Sequence, residues 1–424
     1  MLERKDLKLL PDKQRVLLQF FYPGNEKRVK NIIDRVCQLH EEHAEKLLDK
    51  VIKDFSGRHR NFLKELENNY KLVEKFIPEG ITVSSKQKLL IGSYFSKEYS
   101  IESASLFNPS IVLFDPVKAT GEVSSNDNAK FIMSLRSTGE GHISSVSFRT
   151  GTISSDYQIK MDKSTRFVTS GQKASSSSSD LESFYEVKFD PSVPVSERVL
   201  FPLSKYESNG MEDARFVNFY NDDGTNTYYA TYTGYDGRNI YIHLIETLDF
   251  THFKINLLKG DAAKDKGMAL FPRKINGSFT MISRQDGENL YIMQSPNIYK
   301  WDNMQLLKAP ELSWEFVQIG NCGSPIETDQ GWILLTHAVG PMRTYVISAL
   351  LLDKDNPSKI TGYLTEPLIS PNEEEREGYV PNVLYSCGSL VFKDMLIIPY
   401  AMSDSASGFA TIALKELLGK FIRL

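Results

Sequence analysis

The stretch GWILLTHAVGPMRTYVISALLL, residues 331–352, decides the fold class. Two runs rich in β-branched and aromatic residues, GWILLTH (331–337) and TYVISALLL (344–352), flank a Gly-Pro pair that suits a turn. Working outward, the same texture recurs in FIMSLR (131–136), HISSVSF (142–148), TYYATYT (227–233) and SFTMIS (278–283). Between such runs lie NDDG, YDGR, INGS, DQGW and FKDM, all of them turn chemistry. From about residue 100 the chain therefore reads as a mainly β body, suited to a sandwich, barrel or propeller, with no clean repeat to select among them. The polar, low-complexity KASSSSSD (173–180) reads as a mobile surface excursion.

Ahead of this body the period changes. Val29, Ile32, Ile33, Val36 and Leu39, then Leu47, Leu48, Val51, Ile52 and Phe55, recur at three- and four-residue steps, and Ser56-Gly57 supplies a stop. A further helix is expected through Phe62, Leu63, Leu66, Tyr70, Val73 and Phe76, closed by Pro78. The division expected is a helical module over 1–95 and a β domain over 96–424, the helical stripes being packing faces rather than partner-binding ones.

Composition removes several function classes. Fifty basic and 54 acidic residues, net charge -4, are interspersed along 424 residues, so no field of one sign invites nucleic acid. No apolar run approaches the roughly 20 residues that span a bilayer, and the first residues, MLERKDLKLL, lack a signal-peptide core. Cys37, Cys322 and Cys387 are odd in number and far apart, which suits free thiols in a reducing cytoplasm. GEGH at 139–142 has no second histidine at ligand spacing, so neither a metal nor another cofactor is expected. GxSxG and GxxxxGK[ST] are both absent, which argues against serine-esterase and nucleotide chemistry.

The polar chemistry gathers where charge, glycine and apolar strand meet. In NGMEDARF (209–216), Glu212, Asp213 and Arg215 supply an acid, a neighbouring carboxylate to hold its proton and a guanidinium to fix geometry. The bland alternative is a capped turn with a surface ion pair. Lys266, Arg284 and His337, drawn from separate strands, make a candidate anion site of cationic or donating groups, each with an ordinary reading as loop charge, strand-end pair or core histidine.

Taken in order, FNPSIV (107–112), GMEDARF, GMALFPRKINGSFTMISR, IGNCGSPIETDQGW, LTHAVG, VPNV and SDSASG resemble the motifs of glycoside hydrolase family 130, the β-mannoside phosphorylases and some β-1,2-mannosidases. The resemblance covers roughly residues 100–415. It implies a five-bladed β-propeller with an N-terminal α-helical extension, as in longer members, and an active site on the propeller axis. By motif, Asp213 matches the proton donor, acting through a hydroxyl of the bound mannosyl unit, with Glu212 and Arg215 supporting it. Asn108, Arg136 and Asp404 match positions that hold the terminal mannose, and Lys266, Arg284 and His337 match the phosphate positions.

The activity implied is inverting cleavage of β-mannosidic bonds, with phosphorolysis to α-mannose 1-phosphate placed ahead of hydrolysis and inorganic phosphate as co-substrate. Pro109 stands where a serine is common and Gln318 where a lysine is common, which weakens the phosphate site. Hydrolysis, with Glu140 or Glu327 activating water, is the alternative, and a non-catalytic glycan-binding propeller is the second. The helices also offer a surface for homo-oligomer formation.

Overall fold

The computed structural model describes residues 1–114, 128–174 and 183–424, so residues 175–180 of the polar stretch lie outside it. Two compact units result. The smaller comprises Asp12–Ile101 and Thr165–Thr169; the larger comprises Met1–Pro11, Glu102–Ser164 and Ser170–Leu424.

In the smaller unit the helices are Glu26–Cys37, Glu41–Phe55, Phe62–Lys71 and Ser85–Tyr94, beside an antiparallel pair of strands, Val16–Phe20 and Ser96–Ser100. Asn25 caps the first helix by accepting from the Arg28 amide, and Ser84 with Gln87 forms a capping box on the fourth. The apolar stripes read from the sequence pack on one another: Val29, Ile33, Val36, Leu48, Tyr70, Leu90 and Ile91 share one buried cluster. Gly92 explains the closeness of the last two helices, because a Cβ there would lie 1.9 Å from the Leu66 carbonyl oxygen. Two differences from the sequence reading appear. The third helix ends at Lys71, with only a 3-10 turn over Glu74–Phe76, and Ser85–Tyr94 has almost no amphipathic pattern to announce it, being buried at Leu90–Gly92.

The larger unit is mainly β. Among the described residues its main strands form five successive antiparallel meanders, the first two joined in one sheet by a Gly210–Ser144 pairing, and each begins with the strand that carries one of the polar motifs. The first runs Ser105–Leu113, Ala129–Thr138, Ser144–Ile153, Ile159–Met161. The second runs Gly210–Tyr220, Asn226–Tyr235, Ile240–Thr247, His252–Leu257. The third is Ala269–Leu270, Phe279–Arg284, Leu290–Ser295, Gln305–Lys308. In the fourth, Gln318–Asn321, Gly331–Val339, Tyr345–Leu352 and Ile360–Tyr363 pair in turn. The fifth is Leu384–Tyr385, Met395–Met402 and Ala406–Ala413, and its outer strand is Glu3–Leu9 from the start of the chain. Residues 1–11, expected in the helical module, therefore group with the β body: the edge of the last meander offers an unpaired ladder that this strand fills.

Hydrogen bonds tie the first strands of neighbouring meanders or their flanks together. Phe216 N donates to Ser110 Oγ (3.0 Å), Tyr220 N to the Pro272 carbonyl (2.8 Å), Ile319 N to Glu288 (2.9 Å) and Tyr345 N to Asn382 (2.9 Å). Cys387 N donates to the Pro109 carbonyl (2.8 Å), linking the fifth meander to the first. Buried clusters lie between the meanders, for example Met268, Leu270, Met281 and Trp301 with Val217 and Phe219.

Candidate active site

Two β-bulges aim the first polar side chains. In the first meander Phe107 faces Arg136 and Ser110 faces Ser134, so Asn108-Pro109 carries one extra residue. The second repeats this, since Glu212 faces Thr233 and Arg215 faces Thr231, leaving Asp213-Ala214. Asn108 (φ 49°) and Asp213 (φ 55°) both take the left-handed conformation, which Asn and Asp tolerate best among non-glycine residues. Asp404 (φ 51°) does the same in the hairpin that follows Met395–Met402. Three of the sequence-chosen residues thus sit in uncommon backbone geometry, a feature that clusters at functional sites.

The bulges bring the side chains together. Asn108 Nδ2 donates to Asp213 Oδ1 at 2.6 Å, and Arg136 NH1 reaches the same oxygen at 3.5 Å. Glu212 does not touch Asp213: its two oxygens take Arg136 NH2 and Lys266 Nζ, each at 2.8 Å. Arg215 is buried and holds the Asp213 backbone rather than its carboxylate, donating through NH1 to the Asp213 carbonyl (2.8 Å), through Nε to Asn321 Oδ1 (3.2 Å) and through NH2 to Tyr385 OH (2.7 Å). Asn321 also donates to the Gly267 carbonyl, so one buried amide joins the third and fourth meanders to Arg215. Asn321 and Tyr385 lie inside the motifs GNCGSPIE and VPNVLY; nothing in a neutral amide or a phenol alone marks them as site residues in sequence.

The electrostatics correct one expectation. Burial pushes the Asp213 carboxyl up, but Arg136, Arg215, the Asn108 amide and Lys266 outweigh it and hold it below the ordinary value. Asp404 moves the other way: burial and the adjacent Asp213 charge raise it to about 6 against the opposing pull of Arg136 and Arg343, so it takes up a proton well before Asp213 as pH falls. Glu212 therefore supports the site by neutralising Arg136 and Lys266, not by holding a proton on its neighbour.

His337 is corrected as well. Burial, then the charges of Arg284 and Arg215, lower its pKa to about 3, so the ring is neutral. Its Nδ1 lies 3.0 Å from the Asn321 carbonyl, which only accepts, so the proton is on Nδ1 and Nε2 is left as an acceptor. That Nε2 is buried with no hydrogen bond, as is Arg284 Nε, whose nearest carboxylate oxygen, on Asp265, is 3.7 Å away. Gly320 makes room for the ring, since a Cβ there would lie 2.4 Å from His337 Cε1.

The two candidate water-activating bases differ in setting. Glu327 is held by Arg273 in a bidentate pair (2.7 and 2.8 Å) further along the chain direction of the first strands. Glu140 is exposed on the turn Glu140–His142. Pro109 fits its bulge because only its carbonyl is used, and Gln318 pairs with Val339 in the strand ladder. Among the described residues no cluster of three or more His, Cys, Asp or Glu could hold a metal ion.

The family model for glycoside hydrolase family 130, described as beta-1,4-mannooligosaccharide phosphorylase, matches residues 162–423. The chain belongs to family 130. Among its relatives, a 1,2-beta-oligomannan phosphorylase of Thermoanaerobacter sp. is 33% identical over 219 residues, which is 50% of this chain and 72% of that protein. A beta-1,2-mannobiose phosphorylase of Listeria innocua is 25% identical over 52% of this chain and 62% of that one. The solved structure of the Listeria innocua beta-1,2-mannobiose phosphorylase in complex with beta-1,2-mannobiose aligns with a TM-score of 0.53 at 17% identity, over 75% of this chain and 92% of that one. A family 130 structure described with glycoside hydrolases that target beta-1,2 mannosidic linkages aligns at 0.54 and 18% identity, over 75% of this chain and 87% of that one. The fold is that of family 130 enzymes, and both phosphorylases and hydrolases share it.

Proposed function

We propose that this family 130 enzyme cleaves β-mannosidic bonds by phosphorolysis, with inversion, giving α-mannose 1-phosphate. The observation that carries the reading is two buried nitrogens that make no hydrogen bond, His337 Nε2 and Arg284 Nε, the latter only in a long ion pair with Asp265 (3.7 Å), with the Arg284 amide on the Lys266 carbonyl (3.4 Å). Leaving such groups unpaired costs about 1–3 kcal/mol each, which a bound oxyanion offsets. Hydrogen phosphate matches both, because it offers bare oxygens to the cations and one P–OH to the imidazole acceptor. Hydrolysis is the weaker reading here, since Glu327 is occupied by Arg273 and Glu140 is exposed on its turn.

The five meanders, linked each to the next and the fifth to the first, support a five-bladed propeller whose axis carries the site. Asn108, Arg136 and Asp404 then hold the terminal mannose through its hydroxyls. A mannosyl unit covering Asp213 excludes the remaining water and adds to the desolvation that favours its protonated form, which prepares it to donate through a sugar hydroxyl. The proton balance closes: hydrogen phosphate loses its proton on forming the new C–O bond, and the departing alcohol gains one. The three free thiols suit a reducing compartment such as the cytoplasm, and self-association through the helical unit belongs to the same proposal. Phosphate titrated into the wild-type chain and into Arg284→Met tests the reading: saturable binding weakened at least about tenfold by the variant is expected, and equal binding by both contradicts it.

A further inference from the structure

Beyond Asp213, the first strand of the second meander continues to a second cavity. It has a volume of about 240 Å³, the share of roughly eight liquid waters, and suits one sugar ring rather than a chain. Each of the five meanders contributes a segment to its wall, through Leu113, Asn218, Arg273, Ser324 and Leu390 among others. Asp213 and Asn108 are not in its wall, and the lining residues that follow them on their strands, Phe216 and Ile111, lie three residues further on, roughly 10 Å along an extended strand. The cavity is therefore separate from the catalytic group.

Its chemistry is amphipathic and neutral. Ile111, Phe216, Val217 and Leu390 are buried apolar groups of the wall, and Tyr220 is 53% exposed. Two polar atoms in the wall are buried without a hydrogen bond, Asn218 Oδ1 and Ser324 Oγ. The charged lining residues, Arg273 and Glu327, neutralise one another in their bidentate pair, and Arg273 is further fixed over the Trp332 ring, 5.0 Å from its centroid. Among the described residues, a charged ligand finds no unpaired counter-charge in this wall. A neutral polyol has what the wall lacks: hydroxyls to donate to Asn218 Oδ1 and to pair with Ser324 Oγ, and a C–H face for the apolar side and Tyr220.

We propose that this cavity is a second, non-catalytic binding site for a single neutral sugar residue, such as the end of an oligosaccharide whose cleavage occurs elsewhere on the same or another copy. The choice of mannose as probe rests on the mannoside reading above; the neutrality and the polyol chemistry do not. Mannose titrated into the full chain, followed by ligand-observed saturation-transfer NMR, should show binding that survives when the catalytic site is crippled by Arg136→Ala or Asn108→Ala. In those backgrounds, adding Asn218→Leu or Tyr220→Ala should lower the remaining affinity at least about tenfold. By themselves Asn218→Leu and Tyr220→Ala should leave mannoside turnover within about twofold. Loss of all signal in both crippled backgrounds, with fold intact by circular dichroism, overturns the proposal, as does a signal that neither pocket substitution weakens. Absence of mannoside turnover in the wild type strikes the proposed activity alone, because the crippled backgrounds report on the pocket independently.

Discussion

Replacing Lys266 by Met probes the proposed phosphate site with least disturbance to the fold. The side chain is 36% exposed and its amino group lies 2.8 Å from Glu212 Oε2, so the change leaves no buried charge alone: Glu212 keeps Arg136 at 2.8 Å. A hydrogen bond to a charged group has a net worth of about 1.5–3 kcal/mol, and every 1.4 kcal/mol is tenfold in affinity. Partial exposure and competition from Glu212 place the loss towards the low end. Initial rates with β-linked mannobiose at varied phosphate should therefore show the phosphate KM rising roughly 10- to 30-fold, with the mannoside KM changed only a few-fold and Lys266→Arg recovering part of the loss. Were Lys266→Met to keep its phosphate KM within about twofold while the mannoside KM rose tenfold, Lys266 would belong to the sugar site and the phosphate assignment would fail.

The other expectations follow from the same geometry. Asp213→Asn keeps the left-handed backbone and the Asn108 contact but has no proton to give, so turnover should fall about 10²–10⁴-fold with thermal unfolding little changed; near-normal rates on a mannoside with a poor leaving group would remove Asp213 from the role. Because His337 presents an acceptor, arsenate, which carries a proton near neutral pH, should substitute for phosphate, while sulfate should inhibit poorly; competition kinetics in which sulfate matches phosphate in affinity would show that Nε2 is protonated in the complex. Asp404 holds its proton up to about pH 6 in the folded chain, against 3.8 for an ordinary carboxyl. Its contribution to stability is therefore present at acid pH and is lost as pH rises through about 6. Asp404→Asn should gain on the wild type by on the order of 1–3 kcal/mol, growing between pH 4 and 6 and constant above; a gain independent of pH in denaturant melts would contradict the assignment.

Much of this was legible in the sequence for identifiable reasons. The strands declared themselves because β-branched and aromatic runs alternated with turn residues, and Asp213, Arg136 and Asn108 because order along the chain tied them to a family pattern. Residues whose role comes from tertiary neighbours did not. Asn321 and Tyr385 matter through Arg215, and each is chemically ordinary until two strands meet. The charge state of Asp213 is hidden for a related reason: adjacency in sequence suggests that Glu212 holds its proton, whereas the bulge at Asp213-Ala214 turns the two carboxylates to different partners. His337 likewise read as a donor until its Nδ1 met the Asn321 carbonyl. The strand Glu3–Leu9 is charged at five of its seven positions and apolar only at Leu7 and Leu9, too little pattern to separate it from the start of the helical region.

The central claim is that phosphate, not water, accepts the mannosyl group. Phosphorus and proton NMR on wild-type enzyme incubated with a β-linked mannobiose should show mannose 1-phosphate of α configuration, formed in proportion to added phosphate and absent without it. Release of free mannose at the same rate in phosphate-free buffer, with no sugar phosphate when phosphate is supplied, would contradict the account.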